Sequence, residues 1–270
     1  MRLKSVVMLG LAAAVFTGCD DDEVTNVVTP PLAGVRLING LTEGWAVDIR
    51  AVNQIEWTPV ANNLAYRNST THQPTEAGKA HVLRVFMTST VAAVTSVVMH
   101  EATLTFQAGT KVTLLLTGST AANNVRFEVI NDEVAAPAAG SIGVRLFNAS
   151  GSAVDGYLVA TPTTAISGAP TWSNVGPRSA SPYVDRAAGA AAARITAAGS
   201  TTVIASAQGP SAPADPSPGV LPAAGVNTPG TRFSVYYFPA VEAIGASQGR
   251  PAVAATAASA IWYVDRNPAD

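Results

Sequence analysis

Apolar residues in this chain come in short runs, with partial alternation of apolar and polar positions and no helical spacing. The runs VRLIN, WAVDIRAV, AHVLRVFM, VTSVVMHEATLTF, KVTLLLTG and VRFEVIN are rich in β-branched residues and separated by Gly, Asn, Thr and Pro clusters. That pattern predicts strands, because β-branched side chains suit a pleated, half-buried surface and the separators suit turns. Six or seven short strands per roughly 100 residues predict an all-β fold of immunoglobulin-like sandwiches. One stretch pulls the other way. Ala187 to Ala198 (AAGAAAARITAA) has the propensity of a helix, and propensity is a weak prior that tertiary context overrides.

Internal similarity decides how that stretch is read. Gly34-Val35-Arg36-Leu37-Ile38-Asn39 is matched by Gly143-Val144-Arg145-Leu146-Phe147-Asn148, and Ala46-Val47-Asp48 by Ala153-Val154-Asp155. Asn63 to Gly78 aligns with Asn174 to Gly189 without a gap, Arg84-Val85 with Arg194-Ile195, and Gly109 to Leu114 with Gly230 to Val235. The order is kept throughout, so the chain holds two copies of one unit, and Ala187 to Ala198 aligns with strand-like Gly78 to Val85. A strand is therefore expected there, with a helix as the alternative. The predicted organisation is repeat one at 34–134, a small-residue linker at 135–141 and repeat two at 142–270. If Val264 corresponds to Val129, repeat two has gained about 11 residues near 209–230 and about 14 near 239–257. Loops this long are either functional or disordered, and with few aromatic residues these two are expected to be flexible or decorative, with a functional role as the alternative. The opening strand, the Ala-Val-Asp that follows it and the closing strand led by Gly-Thr resemble the bacterial envelope family called domain of unknown function 4397. The resemblance runs over most of residues 34 to 270. It implies a β-sandwich, often in tandem and often on lipoproteins, and it brings no catalytic residues.

The amino terminus has a different character. Arg2 and Lys4 precede the apolar stretch Ser5 to Phe16, which is shorter than the roughly 17–25 residues that span a bilayer. Residues 1–18 read as a secretory signal. Phe16-Thr17-Gly18-Cys19 resembles the lipobox of bacterial lipoproteins, and Cys19 is the single cysteine of the chain. Cys19 is the predicted lipidation site, and residues 19–33, opening with Asp20, Asp21, Asp22 and Glu23, are the predicted tether. The expected location is the cell envelope of a Gram-negative bacterium, on the periplasmic face or the cell surface. The acidic run resembles a surface-export signal, and Asp beside the cysteine resembles an inner-membrane retention signal. Charge follows the same division. The four acidic residues of the tether and the two basic residues of the signal together make the net charge of -2, leaving a neutral body that offers no footprint for nucleic acid. Charged residues are only 13% of the chain, so Ser, Thr, Asn, Gln and backbone must cover much of the surface. One cysteine also excludes a disulfide framework.

Candidate chemistry is sparse. His72, His81 and His100 have no metal-ligand spacing, and His100, alternating with Val98, Leu104 and Phe106, reads as a partly buried, hydrogen-bonded strand histidine. Gly245-Ala246-Ser247-Gln248-Gly249 has the letters of a nucleophile elbow, but no histidine follows it, and that motif needs a strand before it and a helix after. Asp48 and Asp155 sit at equivalent positions. They are expected to accept hydrogen bonds from loop N–H groups or to pair with Arg36 and Arg145. Asn39 and Asn148 suit strand-ending turns, where Asn tolerates positive φ. Trp45, Trp57, Trp172 and Trp262, two per copy, are read as core residues over a ligand platform. The expectation is a lipid-anchored, non-catalytic binding, adhesion or structural module with no catalytic residue, no cofactor and no metal. Its expected partners are the membrane, through the N-terminal lipid, and a protein or glycan ligand. The contrasting expectations are an envelope hydrolase with a dispersed site and a metal-dependent adhesion module.

Overall fold

A computed structural model describes residues 29–213 and 222–270. The signal segment, Cys19 and the acidic run lie outside the described residues, as does 214–221 within the first long loop. Repeat one contributes β1 (Leu32–Asn39), β2 (Val47–Ala51), β3 (Ala61–Leu64), β4 (Gln73–Glu76), β5 (Ala80–Met87), the single turn α1 (Ala92–Thr95), β6 (Val98–Thr105), β7 (Lys111–Thr117) and β8 (Arg126–Asn131). Its two sheets run β4-β1-β7-β8 and β3-β2-β5-β6, with β1 and β7 parallel. Repeat two contributes β9 (Ser141–Asn148), β10 (Val154–Val159), β11 (Trp172–Val175), β12 (Ser179–Ala180), β13 (Val184–Ala187), β14 (Ala192–Ala197), β15 (Val203–Gln208), β16 (Arg232–Phe238) and β17 (Ser259–Arg266). The sheets β12-β9-β16-β17, with β13 also on β9, and β11-β10-β14-β15 repeat the plan. The fold is all-β, and no helix among the described residues is long and apolar enough to cross a membrane.

Each repeat is two sheets packed on one apolar core. In repeat one, Val35, Leu37, Leu114 and Leu116 of one sheet meet Val47, Ile49, Leu83 and Val85 of the other. β1 and β7 have a second duty. Ile38 and Leu115 point out of that core and join Phe147, Tyr236 and Phe238 in a third cluster, so the sheet of β1 lies against the sheet of β9. Strands buried on both faces read as continuous apolar runs, which is why VRLIN and KVTLLLT alternate so poorly. The repeats are therefore packed layer on layer, and residues 31–270 form one compact unit. The linker is held down as well: Ala135 O accepts from Arg232 Nε, and Ala138 N donates to Asp185 Oδ2.

The alanine-rich stretch holds no helix: it is the end of β13, a short turn and β14, with Ala191, Ala192, Ala193 and Ile195 fully buried. Ala191 and Ala193 share the core of repeat two with Trp172, whose ring would stand 2.7 Å from a Cβ on Gly156. The register makes Gly156 and Trp172 the counterparts of Ile49 and Ala61, so the two repeats place bulk on opposite partners of one pair. Two expectations about the insertions need correction. Ser234 faces Tyr263 as Thr113 faces Ile130, which makes Trp262, not Val264, the counterpart of Val129. The second insertion is correspondingly shorter, about a dozen residues, and the ladder slips by one residue only beyond it, between Arg232 and Phe233. Nor is that insertion loose. Val241↔Thr256, Ile244↔Val253 and Ser247↔Arg250 bridge it into a narrow hairpin, and Ile244 and Val253 pack on the core of repeat one. The described ends of the first long loop are also tied: Val226 is fully buried in the core of repeat two and its N–H donates to Pro210 O.

Candidate functional site

The buried charges lie between the repeats. Arg36 donates to Thr113 Oγ1 (2.8 Å), Asp132 Oδ2 (3.1 Å), Asp265 Oδ1 (3.0 Å) and Val264 O (2.8 Å). Arg145 mirrors it, donating to Ser234 Oγ (2.6 Å), Asp132 Oδ1 (2.9 Å) and Asn131 O (3.1 Å). Each aspartate also accepts from the hydroxyl on its own sheet, Asp132 from Thr113 and Asp265 from Ser234. His72 Nε2 lies 3.1 Å from Asp132, and Tyr183 OH donates to Asp265 at 2.7 Å. The result is a neutral quartet with approximate two-fold symmetry. Burial works to raise the Asp132 carboxyl, but His72, Arg36, Thr113 and Arg145 outweigh it and hold it below the ordinary value. Burial and the neighbouring Asp132 push Asp265 up. With every group engaged by its neighbours, the quartet is a structural joint.

The arginines thus pair with Asp132 and Asp265, and not with Asp48 and Asp155. Those two follow the other alternative: Asp48 accepts from Asn63 N (2.8 Å) and Thr88 Oγ1 (2.9 Å), Asp155 from Asn174 N (2.6 Å) and Gly199 N (2.7 Å). Asn63 and Asn174 share φ of 50°, a left-handed bulge that these carboxylates hold in both copies. Asn39 and Asn148 do close turns, accepting from Leu41 N and Ser150 N, but their own φ is not positive. The histidines are dispersed. His81 is buried with Nε2 on Glu76 O, and the His100 ring packs edge-on to Phe127, its pKa lowered by burial. No group of three or more His, Cys, Asp or Glu residues could hold a metal ion among the described residues. Ser247 sits in a hairpin turn, with Gln248 and Gly249 at φ of 50° and 79°, the geometry of a two-residue type I′ connection. Trp45 and Trp172 are core, Trp262 packs against the core of repeat two, and Trp57 is 40% exposed.

A groove of about 340 Å³ opens at one end of repeat one, within the range of small-ligand sites. Its floor and walls are Met87, Val94, Val97, Val98, Met99 and Val125. Thr120, Asn123, Gln248 and Arg250 form the rim. Two insertions build it. The loop after β5 is about five residues longer than in repeat two, since Val85 pairs with His100 where Ile195 pairs with Ala205. It carries α1 and the exposed Val91 and Val97, and leads into the exposed Val98 at the start of β6. The hairpin of repeat two supplies the opposite side. Both are held in place: Thr88 is bonded to Asp48, Ser89 Oγ donates to Gly249 O (2.7 Å), and Trp45 Nε1 donates to Pro251 O (3.3 Å). Tyr66 and Arg67 clamp the hairpin's base through Pro239 O. Glu43 fixes the third wall, accepting from Ser119 Oγ, Thr120 N and Ala121 N; burial opposes its charge, but these donors hold its pKa below the ordinary value.

Sequence reasoning missed the groove because its lining comes from separate segments and its rim from an insertion of the other repeat. The one available signal was VAAVTSVVM, an apolar stretch with no alternation to bury it. The groove lies at the Met87 end of β5, and Ala80, at the other end about 23 Å away, accepts bonds from Asn53 and Gln54. Among known families, residues 33–157 match the one described as Domain of unknown function (DUF4397). The match takes in repeat one, β9 and part of β10, so the kinship of the remaining strands rests on the internal repeat. No curated protein matches the chain.

Proposed function

Because residues 33–157 belong to the domain of unknown function DUF4397, a family that names no reaction, we propose from the site itself that this protein is a non-catalytic binding module of the cell envelope. In this reading it is anchored by lipid on Cys19 and takes its ligand in the groove of repeat one. One observation carries the reading: two insertions that depart from the repeat plan meet to form a groove with an apolar floor and a polar rim that carries a cation. Exposed apolar surface gathered in a concave site favours an apolar ligand. Arg250, exposed at the edge with its guanidinium 5.6 Å from the Trp45 ring, favours one that also carries a negative group. The signal segment and the lipobox-like Phe16-Thr17-Gly18-Cys19 support the anchor, and several acyl chains hold a protein at a bilayer without a spanning helix.

An anionic apolar dye, anilinonaphthalene sulfonate, tests the groove. Its fluorescence should rise on binding, and Val97→Asp and Arg250→Glu should each weaken binding about tenfold or more; equal binding by all three chains refutes the site. Cys19→Ala tests the anchor: the chain should move from the detergent-extracted membrane fraction to the soluble one, and unchanged fractionation refutes lipidation.

A further inference from the structure

The most exposed large apolar side chain among the described residues is not in the groove. Ile55 is 98% exposed, and the same loop between β2 and β3 shows Val52 and Val60 at 43% and Trp57 at 40%. Exposed apolar residues clustered on one loop mark a contact surface. The corresponding loop of repeat two, 160–171, is mostly Thr, Ser, Pro and Ala, and its one large apolar residue, Ile166, is partly buried. The feature is therefore particular to repeat one.

Its position names the occupant. Trp57 O accepts from Glu76 N (2.8 Å), Glu76 is the register partner of Leu32, and Ala77 N donates to Pro31 O (2.8 Å). The loop thus lies where the chain enters the fold from its amino-terminal segment. Roughly 13 residues separate Leu32 from Cys19, a contour of at most about 45 Å. We infer that the loop Val52 to Val60 rests on the bilayer that holds the Cys19 lipid, with Ile55 and Trp57 inserted at the headgroup level. This rests on the anchoring proposed above. A short tether makes the second contact intramolecular, so a loop too weak to bind membranes unaided is held there by effective concentration. Tryptophan suits the interface, with an apolar body and a polar N–H. Trp57 has φ of 50°, an uncommon backbone for a bulky residue, and the loop is pinned by Asn53 and Gln54 on Ala80 O and by Val60 N on Gln73 Oε1. Lys79, 60% exposed in its side chain, sits at the same end. Because Glu56 lies between Ile55 and Trp57, a zwitterionic surface is the better probe. The groove, at the other end of β5, then faces away from the membrane.

The test uses the lipid-bearing chain reconstituted into phosphatidylcholine vesicles containing nitroxide-labelled lipid. Nitroxide should quench tryptophan emission, Trp57→Phe should remove most of the quenched component, and Ile55→Asp, at a position that cannot disturb the core, should cut quenching at least twofold. Equal quenching in wild type and both variants overturns the inference. Washing the vesicles with alkaline carbonate separates the two ideas. A chain that stays bound but is not quenched through Trp57 loses only the loop contact, whereas a chain that washes off refutes the anchor and the inference with it.

Discussion

Arg36 holds both carboxylates of the quartet, and its removal would leave Asp132 and Asp265, each buried, with Arg145 as their one shared arginine and His72 beside Asp132. Taking one partner from a buried ion pair strands a charge away from water and costs about 3–5 kcal/mol. Arg36→Met should therefore lower the unfolding free energy by about that amount in urea titration. Arg50→Met, which breaks the half-exposed pair with Asp48, should cost under about 1 kcal/mol, because solvent screens such pairs. Equal losses would mean that the quartet is hydrated. The repeated Arg36 and Arg145 were visible in the sequence as charges inside apolar strands. Their partners were not. Asp265 sits at the register slip of the β16–β17 ladder, where a bulge re-aims a side chain, and its equivalence with Asp132 emerges only from the strand register, which pairs Ser234 with Tyr263 as it pairs Thr113 with Ile130.

At the scale of elements, the repeats solve one packing problem in two ways. Ile49 faces Ala61 in repeat one, and Gly156 faces Trp172 in repeat two. Gly156→Ile alone should overpack against the ring and cost about 1–3 kcal/mol. Trp172→Ala alone should leave a cavity and cost about 3–5 kcal/mol. The double variant restores the pairing of repeat one, so it should lose less than the sum by about 1–3 kcal/mol, read from a double-mutant cycle. Additive losses would show that the two sites do not share space. The hairpin of repeat two gives a second prediction. Gly249 has φ of 79°, and a Cβ there would stand 2.9 Å from Val91. Gly249→Val should lift the hairpin from the loop after β5, speed limited proteolysis within 239–257 and red-shift Trp45 emission as Pro251 moves away. Unchanged cleavage and emission would show that the tip tolerates the branch. The strands themselves were legible from β-branched runs, and the duplication correctly overrode helix propensity at Ala187 to Ala198. The ordered hairpin was not legible, because its stability comes from the surface of the other repeat.

For the whole molecule, the balance of carboxyl groups sets the response to acid. Asp132, Glu43, Asp48 and Asp270 are each held below their ordinary values of 3.8 or 4.5, hydrogen bonds and nearby cations outweighing burial. Their contribution to stability is complete above the unfolded values and is lost as pH falls through the folded ones. Asp265 is raised by burial and by Asp132, so its contribution has the opposite sign: it favours the fold below its unfolded value and diminishes as pH rises through its folded one. Four groups oppose one. The melting temperature should fall as pH drops below about 4. A melting temperature that rises at low pH would show that Asp265 dominates.

The sequence by itself determined the strand content, the duplication and the equivalence of its loops, because these depend on local periodicity and on comparing the chain with itself. It also marked the doubly apolar strands and the arginines within them, without saying what they face. The tertiary structure decided that the two repeats close on each other through Ile38, Leu115, Phe147 and Tyr236. It decided as well which aspartates meet the arginines, and that insertions from both copies converge on one groove. Apolar surface is non-directional, so periodicity shows that a face is buried but not against what. Partners separated by about a hundred residues or more are fixed only when strand register and layer packing bring them within bonding distance.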